Sequence, residues 1–571
     1  MAAFISILFA ATLLLAGISL YISREALSGQ DLRPPPFNFS VSNQRLVAAG
    51  RRVYDVVESK SVLFPEWIVF VISDSSQTVN GDDGDGDDYA SGSTYHCVFP
   101  NNMISPAMYA GRLPKSGRRS FKCAMPSSVR GHRPFIAPVL TKSQVNSTPE
   151  LAIDWASRPH LMRWTRLVYD SISTASDVVL FAKGVNRPSR VRSPSALRCV
   201  FTDESTNRQF KTPVTSSEQE VFRCRHPQPV PEGSKIGLTL EIVDDGQQQE
   251  RVSSKIIPSV AVYAPFQNND TETQSFSSSS SSSLCACTMV HNVGKFLKEW
   301  VMYHSGVGVK KYVLYDNDSD EADDLSGVVR GLVEDGYKVE TVFWPWPKAQ
   351  EAGFSHSVLS LKRSCQWMMY VDVDEFVFSP KWRHATKPSP DMLQSMLPRL
   401  NDPGSKQVGQ VMIQCHDFGP SNQTEHPSNG VTQGYTCRRK LEERHKSIVL
   451  LEAVDDSLQN SVHHFKLRSG VYRSAKVGVE KAVVNHYKYQ AWPEFKTKFK
   501  RRVSTYVPDW TQKVNLMSKD RTPGLGVEAV EPEDWAMKFC EVVDTKLQLL
   551  TQKWFGHRPP NQSSIKMAWE R

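Results

Sequence analysis

Three acidic residues within four positions, Asp372-Val373-Asp374-Glu375, close an apolar run that begins at Trp367. Carboxylates set side by side repel one another, and a divalent cation with oxygen ligands is the usual remedy. Strand side chains alternate faces, so Asp372 and Asp374 are expected to point one way and Glu375 the other. Asp372 and Asp374 are therefore the candidate metal ligands, and Glu375 is left out. A cation held there is suited to neutralising a diphosphate.

The elements around this stretch read as alternating strands and helices. Leu284 to Val290 is a buried strand, and His291-Asn292 turns into a helix with Val293, Phe296, Leu297, Trp300 and Val301 on one face. A strand follows at Lys311–Tyr315, then a helix over 323–337, a strand at 339–344, a helix over 355–366, and the strand that carries the acids. That β-α-β-α-β-α-β order predicts an open parallel α/β sheet binding its ligand at the carboxyl ends of the strands. Asn292, Asp316, Asn317, Ser319, Asp372 and Asp374 all fall at such ends. Asp316 is placed to bond a uracil or ribose. No GxGxxG follows a strand and no Walker A sequence occurs, so dinucleotide and P-loop folds are disfavoured. A GT-A-type nucleotide-sugar transferase domain accommodates these elements.

A chain of 571 residues implies two or three domains. Its net charge of +8 is modest for that length and, with no zinc finger or basic helix, gives no nucleic-acid signature. Ala2 to Ile22 carries no charge and is long enough to cross a bilayer core of about 30 Å. Residues 1–22 are thus expected to form a transmembrane anchor with a short cytoplasmic tail, and 23–40 a Pro-containing stem. The arginines after the span would by themselves keep the body in the cytoplasm. Cysteines without metal spacing, and sequons at Asn38, Asn146, Asn269, Asn317, Asn422 and Asn561, point instead to a lumenal body.

Residues 41–265 read as a β-sandwich accessory domain. It contains an echo: Cys97-Val98-Phe99 is followed by Phe121-Lys122-Cys123, and Cys199-Val200-Phe201 by Phe222-Arg223-Cys224. A duplicated unit with disulfides Cys97–Cys123 and Cys199–Cys224 is the simplest account, and a connection across the copies stays open. The run Asp82–Asp88 alternates like a calcium loop but has Asp88 where glycine is required, so a solvated loop is expected. The segment 266–283, with seven consecutive serines, reads as a linker to a transferase domain at 284–550 and a tail at 551–571. Exposed aromatics would make the β-domain carbohydrate-binding; otherwise it is structural.

Several stretches jointly resemble glycosyltransferase family 92: Cys287–Gly294, Glu299–His304, Tyr315–Ser319, Trp367–Phe376, Phe418-Gly419 and Asn485–Tyr487. With the anchor, hinge and Cys-bearing β-region, the chain resembles the plant β-1,4-galactan synthases of that family. The resemblance implies a type II Golgi membrane enzyme that moves galactose from UDP-galactose to β-1,4-galactan side chains of pectin, with inversion and Mn²⁺. Thr288, Val290, Asn292, Asp316 and Asn317 are then the donor-binding candidates, and His486 matches the late histidine that often completes a GT-A metal shell, with His463 and His464 as rivals. Inversion needs one carboxylate to take the acceptor proton. Asp417, ending an apolar strand, is the candidate, and Glu425 is the alternative.

Cys415 and Cys437 flank that loop, and a disulfide between them would hold it. Lys446 and Arg438-Arg439 would meet phosphates or be solvated; Trp344, Trp346 and Trp492 would stack on sugars or pack in the core. A homodimer is compatible with the chain. Other readings are a membrane-anchored carbohydrate-binding protein without activity, or transfer from another donor such as UDP-arabinopyranose. A glycoside hydrolase is disfavoured, since its two carboxylates face each other across the sugar from separate strands.

Overall fold

The computed structural model describes residues 45–47, 53–74, 93–131, 133–144, 153–187, 190–227, 234–243, 255–266, 283–398, 406–461, 463–498, 531–560 and 564–570. The expected anchor, the stem, the Asp82–Asp88 run and nearly all of the serine linker lie outside them. Among the described residues no helix is long and apolar enough to cross a membrane. The chain divides into two compact units, one of Pro34–Cys415 with Arg444–Val484, the other of Met1–Arg33, His416–Glu443 and Asn485–Arg571.

In the larger unit the N-terminal half is all β. Two five-stranded sheets carry Cys97 and Cys123, which are joined by a disulfide, and an eight-stranded sheet carries the bonded pair Cys199 and Cys224. Both expected pairings are present. Ile68–Ser73 and Val178–Lys183 are buried almost throughout, and burial of both faces explains why their sequences do not alternate with polar residues. Val69 and Val71 enter the core of the first sandwich, while Phe70 and Ile72 enter a second core on the opposite face. Likewise Val178, Leu180 and Ala182 fill the core of the eight-stranded sheet, and Val179 and Phe181 face the second core.

That second core is shared with the α/β region. There β1 (Leu284–Val290), α1 (Gly294–Val307), β2 (Lys311–Asp316), α2 (Leu325–Glu334), β3 (Val339–Phe343), α3 (Gln350–Leu361) and β4 (Trp367–Tyr370) follow in order. The later strands are β5 (Glu375–Phe378), β6 (Gln407–Asp417), β7 (Glu443–Leu450), β8 (Tyr472–Val477) and β9 (Val483–His486). The sheet order is β3-β2-β1-β4-β7-β6-β9-β5, with β8 on β6. The first four strands are parallel, with Val290 opposite Asp316 and Cys287 opposite Tyr370. β7 then pairs with β4 antiparallel. The sheet is therefore mixed, where an open parallel sheet was expected; the crossover helices that enforce parallel pairing stop at α3.

A disulfide between Cys285 and Cys365 ties the start of β1 to the turn before β4. Trp344 and Trp346 are buried in the shared core, Trp346 against Phe64, Phe70 and Tyr169, and Trp344 against Tyr169 and Phe181. Core packing is thus their role. Gly111 of the β-region, at φ +141°, lies so close to Phe343 that a Cβ would stand 2.9 Å from its ring.

In the smaller unit Tyr489, Trp492, Phe495 and Trp535 form a core, which settles Trp492 as a packing residue. Cys437 is bonded to Cys540, and Cys415, which is buried, is in no disulfide. The expected Cys415–Cys437 bond is replaced because the strand Cys437–Arg438 pairs with Val542–Val543 and brings Cys540 alongside. α4 (Lys546–Phe555) follows that pair.

Candidate active site

The acidic stretch is a turn and not a strand: β4 ends at Tyr370 and β5 begins at Glu375. The Asp372 N–H donates to Glu375 Oε2 at 2.8 Å, and the Glu375 N–H donates back to the Asp372 carbonyl at 3.0 Å. This reciprocal pair closes the turn, so the strand alternation assumed for the acids does not apply. Glu375 is fully buried and Asp374 nearly so, with carboxylate oxygens within 4.8 Å of one another.

Lys446, buried on β7, was expected at phosphates or in solvent. Its ammonium instead lies 2.8 Å from Asp372 Oδ2, 2.8 Å from Glu375 Oε1 and 2.7 Å from His463 Nε2. The contacts to Asp372 and His463 are hydrogen bonds, and the one to Glu375 is an ion pair. Burial works against both charges, but Lys446 and His463 outweigh it and hold the Asp372 carboxyl well below its usual range. The two carboxylates in turn hold the lysine above its own, against the same burial. His463 sits at φ 67°, a left-handed backbone that histidine seldom adopts. His464, the other rival ligand, is bonded to Ser447 Oγ at 2.8 Å and packs on His445. Burial, aided by its two histidine neighbours, lowers its pKa to about 4.

α1 supports the turn through the backbone of β5. Trp300 Nε1 donates to the Glu375 carbonyl at 3.1 Å and Tyr303 OH to the Val377 carbonyl at 2.7 Å. His304 donates from Nδ1 to Trp300 O and accepts the Val377 N–H at Nε2. Burial lowers its pKa to about 3, which keeps it in the neutral form this bonding needs.

At the ends of β1 and β2 the two loops brace each other. Asp316 Oδ1 accepts the Ser319 N–H at 2.9 Å and its hydroxyl at 2.7 Å, and burial raises the Asp316 pKa. Asn292, at φ 54°, bonds Asp320 through both ends of its amide and donates its own N–H to Ser319 Oγ. Asn317 donates to the carbonyls of Trp344 and Trp346, so its sequon is occupied by structural bonds, whereas Asn422 is exposed. Thr288 and Val290 are fully buried within β1.

Asp417 and His486, the last residues of the neighbouring strands β6 and β9, both fall in the smaller unit and meet there. His486 Nδ1 donates to Asp417 Oδ1 at 3.0 Å, and Lys488 Nζ stands 2.7 Å from Oδ2. Burial would raise the Asp417 pKa, but these two partners hold it far below the usual range. Arg438 pairs with Asp544 at 2.8 Å and Arg439 with Glu443. Glu425, exposed, lines a groove of 540 Å³ with His426, Asn429, Gln433, Lys566 and Glu570.

From the sequence Lys446 was read only as a phosphate contact or a solvated residue and His463 only as a rival metal ligand, and Trp300, Tyr303 and His304 were given no role at the acidic turn. β7 reads Glu-Arg-His-Lys-Ser before its apolar end Ile448-Val449-Leu450, so nothing in it marked Lys446 for burial.

Comparison with known proteins gives a family model, glycosyltransferase family 92, that matches residues 280–516. A family 92 protein of Arabidopsis thaliana is 40% identical over 72% of this chain and 69% of its own length. One from Ricinus communis is 36% identical over 90% of this chain and 85% of its own. Among solved structures, a mannosyltransferase from Pyrobaculum calidifontis in complex with GDP-Man and Mn²⁺ aligns at 13% identity, over 39% of this chain and 62% of that one, with a TM-score of 0.24.

Proposed function

The chain belongs to glycosyltransferase family 92, and we propose that it is a Golgi enzyme moving galactose from UDP-galactose to the non-reducing end of β-1,4-galactan, with inversion and with Mn²⁺. The observation that carries the metal reading is the Asp417–His486 bond. A carboxylate on Nδ1–H is the kind of partner that orients a metal-ligating histidine. Asp374 at the acidic turn supplies a carboxylate. Oxygen and imidazole donors suit Mn²⁺, and Asp374 and His486 are our proposed ligands. When bound, the cation would withdraw charge from the departing diphosphate.

The chain's own residues then divide the work. Lys446 bridges Asp372 and Glu375 and fixes the turn that presents Asp374. Asp372 is thereby a turn lock and not a third ligand. Asp417, held far below the usual carboxylate range, is a poor base, and we assign it the task of orienting His486. Glu425, exposed on a polar groove of 540 Å³, takes the role of base. Asp316 and the braced loops around Asn292 form the floor for the nucleoside. Galactose and galactan rest on the motifs' likeness to the plant galactan synthases. The uncharged stretch Ala2–Ile22 and the four disulfides among the described residues support a lumenal body behind an anchor.

The test is a donor screen with the purified chain and labelled galactan oligomers, with Mn²⁺ or with chelator. Transfer from UDP-galactose alone, lost on chelation, is expected; no transfer from any UDP-sugar would overturn the reading. In the same assay Glu425→Gln is expected to lower kcat by about 100-fold or more with metal affinity intact. Asp417→Asn is expected to weaken Mn²⁺ binding by about 10- to 100-fold.

A further inference from the structure

Four arginines gather at one end of the antiparallel pair Leu167–Ser173 and Val178–Lys183. Leu167 stands opposite Lys183, so Arg166 and Gly184 come next at the open end. Gly184, at φ +72°, lets the chain pass close to that end: a Cβ there would lie 2.4 Å from the Thr165 carbonyl. The chain then runs through Val185 to Arg187, whose backbone exchanges hydrogen bonds of 3.1 and 2.9 Å with that of Arg190. Asn186 fixes this loop. Its Oδ1 accepts the Arg192 N–H at 2.9 Å, and its Nδ2 donates to Ser217 Oγ and the Gln219 carbonyl.

Arg166, Gly184, Val185, Arg187, Arg190 and Arg192 enclose a cavity of 170 Å³. Among the described residues no carboxylate pairs with any of the four guanidinium groups. Nε and Nη2 of Arg166 are buried with no hydrogen-bond partner. Buried donors are almost always satisfied, and each exception calls for an explanation. Four like charges without counter-ions also repel, and burial together with Arg192 and Arg187 already lowers the pKa of Arg166. An oxyanion answers both needs, since the guanidinium fork matches carboxylate and phosphate geometry. The cavity is several times the roughly 30 Å³ share of one water, so it admits a sugar-sized group as well as the anion.

We propose that this arginine pocket of the β-region binds an acidic sugar, through either a carboxylate or a phosphate ester, as a glycan-docking site separate from the acidic turn. Such a site would hold a charged part of a glycan without taking part in transfer.

Isothermal titration of the full chain with glucuronate, glucose 6-phosphate, glucose and inorganic phosphate tests this, and the readout does not depend on transferase activity. At least one acidic sugar is expected to bind and glucose is not. The preferred ligand tells carboxylate from phosphate ester, and binding should weaken as salt rises from 50 to about 500 mM. Arg166→Gln should lower affinity by about tenfold or more, the value of a charge-assisted bond. Arg187→Gln, at an exposed position, provides a variant that folds normally and should weaken binding severalfold. Absence of binding by both acidic sugars, or unchanged affinity in both variants, would overturn the proposal. Inorganic phosphate binding as tightly as the sugars would overturn its sugar component.

Discussion

Lys446 reaches the acidic turn from 74 residues beyond Asp372 and decides what that turn can do. Three acids close in sequence look like a cation site, but two of them already share a buried ammonium. Glu375 is fully buried, and removing its counter-ion leaves a charge with no solvent to turn to. Lys446→Met is therefore expected to cost about 3–5 kcal/mol in urea unfolding at neutral pH. The sign of the pH dependence follows from the depressed pKa of Asp372. Its contribution is complete above the unfolded carboxyl pKa of about 3.9 and is lost as pH falls through the lower folded value. In the methionine variant the Asp372 carboxyl protonates more readily, so its deficit should be largest at pH 7 and narrow under acid. A deficit that is constant from pH 7 to pH 3 would show that Lys446 acts only by packing. The Asp372-Val373-Asp374-Glu375 run was legible as a site from residue types and spacing alone. Lys446 was not, because no local pattern ties a lysine on β7 to a turn after β4.

At the scale of elements, α1 is the buttress of that turn. Its apolar face was readable from the spacing of Phe296, Leu297, Trp300 and Val301, all buried. What periodicity does not show is that Trp300, Tyr303 and His304 spend their polar atoms on the β5 backbone. Tyr303→Phe keeps the ring and deletes one bond to the Val377 carbonyl, leaving a buried acceptor without that donor. A loss of about 1–3 kcal/mol in urea unfolding is expected. Because β5 starts at Glu375, Mn²⁺ affinity should fall with it, as read by titration of the purified variant; a stability loss with unaltered metal affinity would separate α1 from the site. The strand order β1 to β4 was equally legible, from apolar runs and the helices between them. The antiparallel arrival of β7 was not, since pairing direction depends on a connection through 376–442 that has no repeating pattern. The partner of Cys437 was hidden for the same reason: Cys415 is nearer in sequence, but strand pairing delivers Cys540.

At the scale of the larger unit, the serine linker suggested two bodies joined by a flexible tether, yet the β-region and the α/β region have one core in common. Two strands carry the evidence. Ile68–Ser73 and Val178–Lys183 are apolar on both faces, and a strand with two apolar faces needs two partners. The sequence displayed the doubly apolar runs but not the second partner, because Phe70 and Phe181 meet residues more than 150 positions away. Polar ties reinforce the join: Lys183 Nζ donates to the Lys348 carbonyl at 3.0 Å, Gln219 Nε2 to the Asn460 carbonyl at 2.6 Å, and Lys122 pairs with Asp318 at 2.6 Å. Regions that share a core unfold together, whereas tethered domains melt separately. Trp346 is the sharpest probe, since it sits on the α/β side and touches Phe64, Phe70 and Tyr169 of the β-region. Trp346→Ala empties a large buried site and should cost about 3–5 kcal/mol. In urea, far-ultraviolet circular dichroism and tryptophan fluorescence should fall in one coincident transition in the wild type and shift together in the variant. Two transitions, with only one of them moved by the substitution, would mean that the β-region is an appended module and not part of the scaffold that holds the acidic turn.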